Sequence, residues 1–565
     1  MPRQVNAQDR SRSPLPGTVS VLWMIGALAG VALLAVAWLL PINVHSLNPT
    51  LLREAGRNTR TTSEFARELL ELDKPGPAAL VLEAARTVDD RGAAEVGRLY
   101  EDYAQRQRDL IPWGGWDVAL EPLLAGRTAK PTESTPVLIF LGTAQARDNL
   151  RRYLATSRLP GVQTLLRTSE VQNTVRFVPA NRPGGQPLDA VILLSSYLWQ
   201  REQLAPTLQR EVRSLAETAV TTGQLGALED FYLDVLTLGR RLNWVQLSEL
   251  LRTATNAGTV AQFAHLARVA PEHLPVIYTA ALMTKSTDAV ARYLIGFGRV
   301  GAENLRLALS HGEGAVRQLV SRQVPVVQTA SRDLEFDFGS GFALRNPALA
   351  VALKYAAFLG GIFLLLRSID LRLFFPAEKA LRGAFPKMGS GILAAILTFI
   401  FFVFSEPFLL KAAAAPEYQV RLTVPILGQT AAPQSSPSSS STPAATMDMS
   451  TIASITVFAL LQVLVYVICL LKISEIDRQP LSVPMKLKLM ENEENLFDSG
   501  LYVGIAGTAT ALVLQVLGVI EANLLAAYSS NLFGIICVAL VKIRHVRSYK
   551  RKLIIESQQV APVAL

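Results

Sequence analysis

The sequence predicts a mainly α-helical membrane protein. It should have six transmembrane helices and one large extracytoplasmic helical domain, solenoid-like or bundled, with a small α/β element inside it. Three observations predict this: six long apolar stretches, roughly 300 residues of ordinary soluble sequence between the first and second, and helical periodicity through most of that insert. A helix crosses the hydrocarbon core with about 20 apolar residues, because each residue rises ~1.5 Å. Residues 19–40, 348–366, 389–405, 451–471, 501–520 and 524–541 approach or meet that length.

The first stretch has two readings. Ala35-Val36-Ala37 has the form of a signal-peptidase site, but the apolar run exceeds the ~7–15 residues of a signal core. Trp23 and Trp38 stand near its two ends, where interfacial anchors sit, which favours a retained anchor.

Orientation follows from the Lys and Arg flanking the spans, since cytoplasmic segments carry the excess. Arg3, Arg10 and Arg12 put the N-terminus, residues 1–18, inside. Arg367, Arg372, Lys379, Arg382 and Lys387 do the same for the loop 367–388, and Lys542, Arg544, Arg547, Lys550, Arg551 and Lys552 for the tail 542–565. The loop 472–500 falls inside by alternation, although it carries Glu491, Glu493, Glu494 and Asp498. Residues 43–346 and 406–450 are then outside, which is the periplasm for the inner membrane of a bacterial cell with two membranes. Much of the formal charge of +9 lies in the membrane-flanking segments, where it sets topology and attracts anionic headgroups. Nucleic acid is therefore not an expected partner; the bilayer is. Cys469 and Cys537 both lie in apolar spans, so the outside domain is held by packing alone.

Within the domain, apolar residues recur at three- and four-residue steps through 208–222 and 225–242. Shorter helices are expected over 245–255, 260–269, 274–283, 289–297, 302–309 and 315–321, with Gly258, Gly298, Gly301, Gly312 and Gly314 at or near junctions. Serial short helices suggest an α-solenoid, and an irregular bundle is the alternative. The continuous apolar run Pro136–Gly142 and the alternating Asn173–Ala180 read as two short strands flanking a helix near 144–155. Residues 334–338 and 420–424 also alternate and are expected to pair as strands near the membrane, while 433–446, rich in Ser, Pro and Ala, reads as a linker.

No phosphate loop, dinucleotide fingerprint, nucleophile elbow or His-Glu-x-x-His helix occurs, and His45, His265, His273, His311 and His545 are scattered. No enzyme, cofactor or metal is expected. The polar residues that invite a role lie in or beside the spans, where ionisable groups are costly and functional by default. Lys354, Glu406 and Glu521 all fall toward the outer leaflet. Lys354 either pairs with one of the glutamates inside the bundle or snorkels outward while they sit at the headgroups.

The last three spans carry a Gly-rich entry, Gly500-Leu-Tyr-Val-Gly504-Ile-Ala-Gly507-Thr508, and then Ser529-Ser530 leading to Gly534. With a tight outer hairpin and a basic tail, residues 450–552 resemble the MotA/TolQ/ExbB proton-channel family. Ser stands where that family has Thr. The resemblance implies that Thr508, Ser529 and Ser530 line a polar path in a homo-oligomer around a separate partner's helices. Two functions follow. The first is a binding or scaffold role in an envelope complex, with a protein partner held through 43–346; the second is an ion-conducting or energy-transducing subunit using 500–541.

Overall fold

The computed structural model describes residues 16–117, 120, 134–327, 339–374, 391, 394–399, 401–402, 406, 449–516 and 524–559. These are mainly helical, with no strand among them. The chain divides into two units: residues 47–335 with 414–429 form one, and residues 1–46, 336–413 and 430–565 the other.

The first unit is the domain between the first two apolar stretches. Its helices include Pro49–Gly56, Thr62–Glu71, Pro75–Thr87, Ala93–Arg106, Ala144–Ala155, Gln186–Gln200, Pro206–Thr222, Ala227–Gly239, Trp244–Thr253, Ala257–Val269, Leu274–Thr284, Thr287–His311 and Glu313–Arg322. Local chemistry sets many of the starts. Thr61 and Asn243 each complete a capping box, with Glu64 and Gln246 reaching back to the cap backbone. Gly298, at φ 55° and ψ −136°, breaks Thr287–His311 into two arms, in the region where Gly298 and Gly301 predict a junction.

Two features distinguish this unit from an open solenoid. Leu274–Thr284 is buried on every side from Leu274 to Met283, so other helices surround it completely. The two ends of the domain also meet. The Leu47 and Val326 backbones form a parallel bridge, the Thr62 hydroxyl donates to the Leu309 carbonyl at 3.0 Å, and the Arg60 guanidinium pairs with Glu313 at 2.9 Å. In an open array the terminal repeats touch only their neighbours. The geometry here is that of a closed, irregular helical bundle.

The α/β element predicted at 136–142 and 173–180 does not form. Val137–Phe140 is one helical turn: Val137 and Phe140, three apart, are buried, while Ile139 is 53% exposed. Its carbonyl end is taken by Arg147, which donates to the Leu141 and Gly142 oxygens at 2.9 and 3.0 Å. Residues 173–180 form a loop with a single bridge, Asn173 to Gln224, because their amide protons go elsewhere, as described below. The helix Ala144–Ala155 stands where predicted. The alternating stretches 334–338 and 420–424 and the linker 433–446 lie outside the described residues.

In the second unit, three helices are long and apolar enough to cross a membrane: Pro347–Ser368, Ile455–Arg478 and Tyr528–Glu556. Met24–Leu39 is a shorter apolar helix. The described residues thus carry three such helices rather than six. The stretch 389–405 is described only in part, and 501–520 forms Ser499–Val516, which is helical to the edge of the described residues.

Pro16–Leu39 packs antiparallel on Pro347–Phe374. Gly26 faces Ser368, Gly30 faces Gly361, and Ala37 is buried with Ala357 and Phe358. A Cβ on Gly30 would lie 2.9 Å from the Gly361 carbonyl oxygen, so the helices meet backbone to backbone there. Gly26 and Gly30 form a Gly-x-x-x-Gly pattern in the sequence.

Toward the C-terminus, Met449–Arg478, Ser499–Val516 and Leu524–Ala539 pack together. The loop 472–500, apart from 479–482 and single turn residues, and the tail 542–565 are helical over their described parts. Val483–Asn492 and Glu494–Phe497 are helical, and the last span continues through a π-helical segment, Leu540–Val546, into Arg547–Gln559. Val465, Cys469, Ile476, Met490, Phe497, Cys537, Val541 and Val546 form one apolar cluster, so the apolar packing extends beyond the predicted span ends. Part of the acidic group in 472–500 has partners: Lys542 pairs with Asp498 at 2.8 Å and Glu494 at 3.7 Å, and Lys472 with Glu493 at 3.7 Å.

Candidate functional site

Of the three ionisable residues predicted near the outer leaflet, two converge. Lys354 is buried on Pro347–Phe374, and its ammonium donates to the Ile42 carbonyl at 2.6 Å and to Asn43 Oδ1 at 2.9 Å. Glu406 is buried, and its carboxylate accepts the Val44 and His45 N–H groups at 2.7 and 3.1 Å and the Tyr355 hydroxyl at 2.9 Å. The two charges therefore hold one turn, Ile42–His45, from its carbonyl and amide sides. Asn43 is oriented by its own amide, which donates to Ser46 Oγ at 3.0 Å. Tyr355 packs edge-on to Phe402 at 4.9 Å, and Phe358 stacks on Phe401 at 5.9 Å, which brings the segment bearing Glu406 onto the helix bearing Lys354. Glu521 lies outside the described residues.

The hydroxyls singled out by the family resemblance divide. Thr508 donates back to the Gly504 carbonyl at 3.0 Å. Ser530 is fully buried and donates to the same oxygen from the neighbouring helix at 3.2 Å, so it is enclosed within the helix trio. Ser529 is half-buried. Glycines permit the approach: a Cβ on Gly534 would meet the Gly500 carbonyl at 2.6 Å and the Gly504 Cα at 3.2 Å. The Gln462 amide then reaches the Gly500 carbonyl at 3.1 Å.

A further feature escaped the sequence reading. Glu229, buried in the first turn of Ala227–Gly239, accepts N–H groups from three successive residues: Val175 at 2.9 Å, Arg176 at 2.5 Å and Phe177 at 2.8 Å. Successive amides converging on a carboxylate form an anion nest, here filled by the protein's own side chain. The Arg176 side chain adds an ion pair to Asp230 at 3.2 Å. The pinned loop presents Val175, 91% exposed, beside the exposed Val178. Below it, burial pushes the Asp234 carboxyl up to about 6, with Asp230 adding to the rise and Arg268 and Arg176 opposing it. A lone Glu after a glycine gives no hint of this contact, which joins positions more than fifty residues apart.

No protein-family model, no curated protein and no solved structure matches this chain.

Proposed function

We propose that the protein is a multi-pass inner-membrane protein of a bacterial envelope, with both termini cytoplasmic, whose domain at 43–346 binds a protein partner as a scaffold in an envelope complex. The observation that carries this reading is the loop Thr174–Val178. Its backbone is held by Glu229 while Val175 is left 91% exposed. A pre-organised apolar contact costs little further ordering when a partner arrives. The closure of the domain on its own ends supports the same reading, because a rigid body presents a constant surface. The burial of Ala37 against Ala357 and Phe358 supports a retained first anchor.

The test is co-purification from membranes with the wild type and Val175→Asp, followed by mass spectrometry of the assembly. A partner held by the wild type and lost from the variant, at unchanged melting temperature, supports the scaffold. Identical partners in both, or none in either, sinks it. Topology is read in the same cells. A cysteine at Val175 should react with an impermeant maleimide in intact spheroplasts, and one at Met485 only after lysis. Native Cys469 and Cys537 are buried and should stay silent.

A second reading, an ion-conducting or energy-transducing subunit, is favoured by the polar groups gathered at the Gly500 and Gly504 carbonyls within apolar helices. A pentamer around single-span partner helices would support it, and Thr508→Val would then abolish conduction.

A further inference from the structure

We infer that the crossing of the three C-terminal helices holds a buried water molecule between the side-chain oxygens of Gln462 and Asn531. The inference starts from an imbalance of donors and acceptors. Gln462 lies on Met449–Arg478 and is 4% exposed. Its NH2 donates to the Gly500 carbonyl at 3.1 Å, which fixes the amide's orientation: turned over, its oxygen would face that carbonyl, acceptor against acceptor. Its own oxygen, Oε1, is buried and accepts nothing from the described residues. Asn531 is only half-buried, but its Oδ1 is buried and also accepts nothing from the described residues.

The two side chains belong to one place. The Gln462 amide nitrogen stands 3.4 Å from the position a Cβ on Gly534 would take, and the Asn531 Cα stands 3.3 Å from that position on Gly504. Gly504 and Gly534 are themselves in contact, and Asn531 lies one helical turn before Gly534 on the same face. The nearby hydroxyl protons are already committed, since Thr508 and Ser530 both donate to the Gly504 carbonyl.

In a hydrocarbon surround no bulk solvent relieves such oxygens, so buried acceptors must find a donor inside the protein or on a trapped water. Water suits the chemistry. It brings two O–H donors to two neutral acceptors, and one molecule can bridge oxygens up to about 5.6 Å apart. A metal cation would want more oxygens and a negative charge. Residues 455–471, 499–516 and 524–539 contain no Asp or Glu. The depth is also suitable, since Asn531 lies about 10 Å along Leu524–Ala539 from its start. The inference rests on the membrane setting of the proposed function but not on its partner or on conduction, because a trapped water is expected whether or not ions cross.

The test is water-edited solid-state NMR of the full chain in lipid bilayers, with ¹³C-labelled Gln and Asn. The two signals are assigned by their loss in Gln462→Leu and Asn531→Leu. The expected result is early magnetisation transfer from water to both side-chain carbonyls, and at least several-fold slower transfer to Gln462 in Asn531→Leu. If both carbonyls of the wild type stay dry while exposed Asn492 is polarised, the inference is overturned. It is equally overturned if the transfer appears with sodium and vanishes with choline, because the guest would then be a cation. A failure here leaves the Val175 co-purification result untouched.

Discussion

Lys354 and Glu406 show how two buried charges are tolerated through a shared backbone turn. Neither depends on a direct contact with the other; each has satisfied hydrogen bonds to Ile42–His45, Asn43 or Tyr355. Removing one charge leaves the other buried without its counter-field, which typically costs about 3–5 kcal/mol. Lys354→Met and Glu406→Gln should each lower the melting temperature in detergent, and the double variant should lose clearly less than their sum. Exchanging the charges, Lys354→Glu with Glu406→Lys, should not rescue. The new carboxylate would face the Ile42 carbonyl, and the new ammonium would face two N–H donors. Full rescue by the exchange would mean that the pairing is direct.

Asp234 supplies a pH prediction at the same scale. Its carboxyl titrates near 6 in the fold, above the ~3.9 of an unfolded chain. The folded state therefore holds more protons between those values, and stability falls as pH rises from about 4 to about 6. Asp234 is only half-buried, so solvent screening reduces the effect to the order of 1–2 kcal/mol. Asp234→Asn should flatten that slope in melting curves taken between pH 4 and pH 7. An unchanged slope would assign the pH dependence to another group.

At the scale of elements, glycine sets how closely the apolar helices approach. Pro16–Leu39 and Pro347–Phe374 touch through Gly30 and Gly361, and Ser499–Val516 and Leu524–Ala539 through Gly504 and Gly534. Within a bilayer lipid tails are as apolar as leucine, so there close packing, not exclusion from water, would drive such contacts. Gly30→Leu should force the first pair apart, because even a Cβ would crowd the Gly361 carbonyl at 2.9 Å. The expected sign is a lower melting temperature and loss of a disulfide between cysteines placed at Leu33 and Phe358. Gly360→Leu, whose Cβ position meets Leu33 only at 3.7 Å, should be milder. The apolar repeats made these helices legible. The short run Pro136–Gly142 was not, because a run of that length carries no period that separates one helical turn from one strand. Arg147 and Phe140's stacking on Trp113 at 3.7 Å decided it as helix.

At the scale of the whole molecule, the domain begins and ends side by side, at Leu47 and Val326. It is held by packing without a cysteine. Residues 47–327, expressed without the membrane helices, should therefore be soluble, helical by circular dichroism and cooperative in thermal unfolding. A molten, aggregating product would mean that the rest of the chain completes its core.

The apolar stretches, the basic flanks and the helical periods were available from the amino-acid order, because hydrophobicity and charge act locally and register residue by residue. They determined a helical protein with membrane-length segments and a large insert between the first two. They also singled out Lys354 and Glu406, since an ionisable residue stands out against an apolar run. What each charge holds, the closure of the domain, the Glu229 clamp under Val175 and the buried side-chain oxygens of Gln462 and Asn531, without a partner among the described residues, were decided by tertiary structure alone. These depend on which residues distant in sequence become neighbours, and no local period encodes that.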